Sequence, residues 1–137
     1  MNNADLGRCL DIAVREFDRH RADTFKHWSF IFQKGKLLEW GQNRLGDPTG
    51  LNKFGYRNER HSIHAEAMAY RKARGLLDRR REWVCVNVRL GSKKEPRESC
   101  PCSLCQHYFH SLGGFDFWYT TDAGWFERLD TRIDITK

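Results

Sequence analysis

Ser62-Ile63-His64-Ala65-Glu66-Ala67-Met68-Ala69 and, further along the chain, Ser99-Cys100-Pro101-Cys102-Ser103-Leu104-Cys105 decide how the rest of the sequence is read. Each stretch puts chemically active side chains where a helix begins. Ala65, Met68, Ala69, Ala73 and Leu76 recur at helical spacing, which predicts a helix over 63–77 headed by His64. Pro101 predicts the start of a second, short helix over roughly 102–112, stopped by Gly113-Gly114. Cys102 and Cys105 stand three apart and therefore share one helix face. A helix N-terminus also favours thiolate over thiol. One imidazole and two thiolates form a donor set that suits Zn2+. Three protein ligands leave a position for water, the catalytic pattern, whereas four closed ligands mark a structural site. Glu66 falls in the first turn after His64, where a carboxylate can carry protons for a metal-activated water. By residue type Cys100 could replace Cys102 or add a fourth ligand, but the Pro-Cys spacing favours Cys102. His61, His107 and His110 are further donors by type and fall outside the spacing.

Working outward, Leu6, Leu10, Ala13, Val14 and Phe17 predict an amphipathic helix over 4–19. TFKHWSFIFQ and LLEWGQ, separated by Lys34-Gly35-Lys36, predict a β-hairpin. The segment from Asn43 to Ser62 is polar, with several Gly, Arg and Asn, and reads as a long loop of the kind that often carries function. Trp83 to Leu90 is short and β-branched, the pattern of a central strand. FDFWYTT forms another strand, Asp122-Ala123-Gly124 a turn, and WFERLDTRIDI a last strand folding back. Helices alternating with strands in this order predict an α/β sandwich on a mixed sheet. Trp118 and Tyr119 are expected in the core on alternate faces.

At 137 residues the chain fits one domain, 1–137, able to bury roughly two-thirds of its unfolded surface. A hydrophobic content of 39% with five Trp and nine Phe excludes a disordered chain. No apolar run approaches the roughly 20 residues that span a bilayer, so no membrane partner is expected. MNNADLGRC lacks a basic segment followed by an apolar one, so no signal peptide is expected and the protein is read as cytoplasmic. Five cysteines without an export signal argue against a disulfide scaffold. Cys9 and Cys85 lie in apolar stretches and are expected to be buried core thiols. The net charge of +6 suits an anionic partner, a nucleotide phosphate or a polynucleotide, without choosing between them.

His64-Ala65-Glu66 followed by Pro101-Cys102-Ser103-Leu104-Cys105 resembles the H-x-E…P-C-x-x-C signature of zinc nucleobase deaminases. Together the two halves are specific, and either alone would be weak. Glu39-Trp40-Gly41-Gln42-Asn43-Arg44 is similar to the strand end where these deaminases carry a substrate-contacting Asn. From Trp28 to Thr121 the chain resembles a cytidine deaminase-like domain, with kinship to compact deaminases of phages and large DNA viruses. In a virus the compartment would be the host cytoplasm. The resemblance implies a three-layer α/β/α sandwich with a mixed five-stranded sheet, ending here in a β-hairpin. It implies His64, Cys102 and Cys105 as zinc ligands and Glu66 as the acid/base. Asn43 would bond the sugar or base edge, and backbone N–H groups of Ala65 and Cys102 would face the base. Two features depart from the family: the longer loop from Asn43 to His64, and the extra thiol of Cys100.

Three functions follow from that resemblance. The first is hydrolytic deamination of cytosine in a free nucleotide or nucleoside such as dCMP. The second acts on cytosine or adenine within single-stranded DNA, RNA or tRNA. The third is a zinc-stabilised binding module without turnover. Compact size favours the first. Lys53, Arg57 and Arg60 in the long loop are candidate phosphate contacts, and Trp125 a candidate stacking surface for a base. Members of the family often assemble, and the Phe- and Trp-rich hairpin is one candidate for a homo-oligomer interface.

Overall fold

Asn2 starts the first helix by accepting a hydrogen bond from Asp5 N–H at 2.8 Å, a cap that typically contributes about 1 kcal/mol. This helix, α1 (Asn3–Glu16), turns Leu6, Cys9, Ile12 and Ala13 inward. Val14 was expected on that stripe but lies about 100° round from Ala13 and is partly exposed. The computed structural model describes residues 1–20, 26–45 and 62–134.

Strands β1 (Lys26–Gln33) and β2 (Lys36–Gln42) pair antiparallel, as the sequence predicts. Lys34 and Gly35 between them both take positive φ, 53° and 72°, the requirement of the tight turn whose twist matches a hairpin. Two short strands, β3 (Arg44–Leu45) and β4 (Ser62–Ile63), pair with each other across the base of the long loop. There follow α2 (Ala65–Ala73), β5 (Val84–Leu90), β6 (Pro96–Arg97), α3 (Ser103–Ser111), β7 (Asp116–Thr120) and β8 (Phe126–Asp130). A final short helix, α4, spans Thr131–Asp134.

The main sheet runs β2-β1-β5-β7-β8, with β5 and β7 parallel and the other neighbours antiparallel. The expected five strands are joined by a sixth, the two-residue β6, which pairs with β5 from the charged segment that follows it. β7 and β8 form the expected C-terminal hairpin.

Alternation along β1 separates two cores. Trp28, Phe30 and Phe32 point to one face and pack with α1, Val86 and Val88. Ile31 points to the other, with Ala67 and Tyr70 of α2, Phe109 of α3, and Trp83 and Phe117. The hairpin's central aromatics are thus core residues. Trp118 packs against the first core and Tyr119 against the second, on opposite faces as expected. Cys9 and Cys85 are buried thiols.

Two boundaries differ from the sequence reading. The second helix stops at Ala73 rather than Leu77. Gly75 follows, Leu76 N–H bonds to Ala73 O in a turn, and Leu76 is 60% exposed. The last strand stops at Asp130: Thr131 N–H and Oγ1 donate to Phe115 O, the last bonds in the β7–β8 register before the chain turns into a helix. Asp130 Oδ1 then accepts from Arg132 N–H and starts α4. No helix among the described residues is long and apolar enough to cross a membrane.

Candidate metal and active site

His64 and Cys102 occupy the same position in their respective helices. Each is the N-cap residue, extended in backbone and making no side-chain cap bond, so the side chain is turned away from its own helix end. Both helix ends meet at the carboxyl ends of the parallel strands β5 and β7, where open α/β sheets hold ligands. His64 Nδ1 lies 3.3 Å from Cys105 Sγ and 3.6 Å from Cys102 Sγ. One donor atom from each of the three residues falls within 4.8 Å of the others. Tetrahedral zinc with ordinary bond lengths separates a nitrogen and a sulfur ligand by about 3.6 Å. The donor types and their spacing therefore fit a zinc ion.

The two thiols differ in their protonation. A hydrogen bond from Cys105 and then the His64 ring hold the Cys102 thiol down to about 4. The bond to Cys102, together with burial, pushes the Cys105 thiol up. The pair in effect shares one proton, and an entering cation would displace it.

Glu66, in the first turn of α2, is 1% exposed. Its carboxylate accepts from Asn87 Nδ2 through Oε2 at 3.1 Å, while Oε1 is buried without a hydrogen-bond partner. Asn87 is fixed in turn. Its Nδ2 donates to Ser99 O at 3.1 Å, and its Oδ1 accepts from Ser29 Oγ at 2.7 Å and from the Cys85 thiol at 3.4 Å. Ser99 Oγ continues the network to Asn87 O and Thr120 Oγ1. A single buried carboxylate is thus oriented by one amide, which three strands hold still. The sequence reading missed Asn87, Ser29 and Ser99. The available signal was a polar residue in the middle of an apolar strand, which must be paired when buried.

Asn43 closes the end of β2. Its Oδ1 accepts from His27 N–H at 3.0 Å and lies 2.7 Å from His20 Nε2, and its own N–H bonds to His27 O. Ala65 is fully buried and opens α2, so its N–H is among those a helix leaves unbonded. Cys100 is partly buried against the core and is not one of the three clustered donors. His107 is exposed, and His110 lies 3.2 Å from Thr131 Oγ1 and edge-on to Phe115. Trp125 sits on the β7–β8 turn, 43% exposed and edge-on to Phe126. Lys53, Arg57, Arg60 and His61 lie outside the described residues.

The fold is that of the cytidine and deoxycytidylate deaminases. The cytidine deaminase of Burkholderia pseudomallei superposes with a TM-score of 0.63 at 18% identity, covering 95% of this chain and 93% of that one. The dCMP deaminase of cyanophage S-TIM5 gives 0.59 at 16% identity, covering 87% and 84%. That of Mycobacterium leprae, a cytidine deaminase, gives 0.57 at 18% identity and 93% of both chains. The cyanophage enzyme has also been solved with dCMP and dUMP bound. No family model and no curated protein sequence matches the chain.

Proposed function

We propose that this chain is a zinc-dependent hydrolytic deaminase of cytosine in a free nucleotide or nucleoside, releasing uracil and ammonia. One observation carries the reading. A cluster of one imidazole and two thiols opens beside a buried carboxylate that has one oxygen anchored and the other unpaired. A purely structural zinc site has no use for Glu66.

His64, Cys102 and Cys105 would hold the metal. When bound, zinc supplies the Lewis acidity that activates water at neutral pH. Glu66 would take one proton from the water through Oε1 and deliver it to the ring nitrogen next to the reacting carbon, then carry the second, from the new hydroxyl, to the departing amine. One water is consumed. The C–N bond breaks, the carbon keeps the oxygen as a carbonyl, and ammonia leaves. Asn87 keeps Oε2 fixed, so Oε1 faces the reacting atoms without searching rotamers. The Oδ1 of Asn43 is committed to His27, so its contact with the sugar or base edge is assigned to Nδ2. Ala65 N–H is assigned to the base, Arg57 and Arg60 to a phosphate, and Trp125 to the outer face of the base. The choice of a cytosine mononucleotide draws support from the fold neighbours, one of which binds dCMP and dUMP.

Metal analysis with ammonia release on dCMP, dCTP, cytidine, single-stranded DNA and tRNA tests the proposal. The expected outcome is one zinc per chain, and turnover of a mononucleotide or nucleoside that Glu66→Gln lowers by about 10³-fold. Protein that takes up no zinc, or Glu66→Gln with full turnover, would sink it. Faster turnover of DNA or tRNA, with binding that falls steeply in salt, would move the substrate to a polymer.

A further inference from the structure

β1 presents His27, Ser29 and Ile31 to the face that carries α2 and α3, while Trp28, Phe30 and Phe32 face α1. Ile31 lies in the core, and Ser29 holds the amide that orients Glu66. His27 is the next side chain on that face, roughly 7 Å along the strand from Ser29 and toward the open end. It pairs across the sheet with Arg89, just as Ser29 pairs with Asn87. Its ring lies within electrostatic reach of Glu66, His64, Arg89 and Cys102.

Polar side chains along this face are satisfied. Ser29, Asn87, Ser99 and Thr120 bond to one another. Among the described residues, Glu66 Oε1 and His27 Nε2 are buried beside them without a hydrogen-bond partner, as is Gln106 Oε1 on α3, whose Nε2 donates to Pro101 O. Buried polar atoms in folded proteins are bonded as a rule, and the exceptions call for an explanation. The unpaired indole nitrogens of Trp28 and Trp118 lie on the α1 face, and that of Trp83 lies among the rings of Tyr70 and Phe109. Glu66 Oε1 is explained by the reaction. His27 Nε2 is not explained by the fold, because the fold uses only the backbone of this residue: its N–H and C=O pair with Asn43.

We propose that His27 is a substrate-contacting residue, whose Nε2 hydrogen bonds a polar group of the bound nucleoside beside the atoms served by Glu66. The proposal rests on the deaminase reading and adds a contact that the H-x-E…P-C-x-x-C signature does not contain. It also makes β1 a wall of the site, tied to Asn43 at the end of β2 by one backbone bond and one bond to the Asn43 side chain.

The test uses zinc-loaded protein with His27→Ala and His27→Gln, and calorimetric binding of dUMP as a readout independent of turnover. The expected result is a kcat/KM for dCMP about 10- to 100-fold lower in His27→Ala, dUMP binding weakened to a similar degree, partial recovery in His27→Gln, and unchanged zinc content. If the unsubstituted protein turns over dCMP and His27→Ala stays within twofold on both readouts, this contact is overturned and the deaminase reading stands. If the unsubstituted protein releases no ammonia and binds no dUMP, both fall. Should His27→Ala not fold, nitrogen NMR of the imidazole in the unsubstituted protein decides. The Nε2 resonance shifts on addition of dUMP if the contact exists, and an unmoved resonance refutes it.

Discussion

Asn87 concentrates more of the site's organisation than His64, Cys102 or Cys105, because four separate groups depend on its one amide. Glu66 Oε2 and Ser99 O accept from it, while Ser29 Oγ and the Cys85 thiol donate to it. Replacing it with alanine removes the donor from a buried carboxylate and strands the Ser29 hydroxyl. A buried group left unsatisfied costs about 1–3 kcal/mol, and a charged one more. Asn87→Ala is therefore expected to lower stability by roughly 3 kcal/mol in denaturant unfolding and to lower kcat by at least about tenfold. Unchanged kcat in a folded variant would show that Glu66 needs no anchor. Asn87→Asp should be worse, since it sets a second carboxylate against Glu66. Glu66 itself was legible in the sequence because its spacing from His64 is local. Its anchor was not, since Ser29, Glu66 and Ser99 lie 58, 21 and 12 residues from Asn87 and no local pattern links them.

Among the elements, α2 carries the heaviest duty, since its first turn supplies both His64 and Glu66. Its seat on the sheet depends on Gly41 in β2. A Cβ at that position would stand 2.6 Å from Ala69 N and 2.8 Å from the Met68 carbonyl carbon. Both are backbone atoms of α2, so no side chain can swing away, and the helix itself must move. Gly41→Ala is expected to cost about 1–3 kcal/mol of stability and to weaken zinc binding as His64 shifts against the cysteines. Equilibrium unfolding and competition with a chelator measure the two effects. A variant with full stability would mean that β2 and α2 can part without penalty. Apolar periodicity made this helix visible in the sequence, as it did α1, the β1–β2 hairpin and β5. Its end was not visible, because Leu76 continues the spacing although the chain has already turned at Ala73. The two-residue β6 and the short α4 carry too few residues to leave a periodic trace.

Across the whole molecule, charge and burial make stability depend on pH in a direction that can be worked out. The chain carries +6 with its histidines neutral, and each histidine that protonates adds to the self-repulsion of the folded state. His20 is 3% exposed, packed edge-on against Trp28 at 5.0 Å and bonded to Asn43. Burial holds its imidazole below the usual value of 6.5, the bond to Asn43 opposing this in part. His27 is displaced in the same direction, also by burial. For such groups the unfolded chain takes up protons before the folded one does. The stability they contribute is complete above about pH 6.5 and is lost as the pH falls from there toward the folded pKa. The melting temperature is accordingly expected to be lower at pH 5 than at pH 7.5, and His20→Gln to show a smaller drop than the unsubstituted chain. With zinc bound as proposed, its release on acidification would add to the drop in both proteins, so the difference between them isolates His20. Aspartates such as Asp78 and Asp130, held below 3.8 by neighbouring arginines, titrate beneath this window. Equal drops in the two proteins would mean that His20 takes up its proton without leaving its place between Trp28 and Asn43.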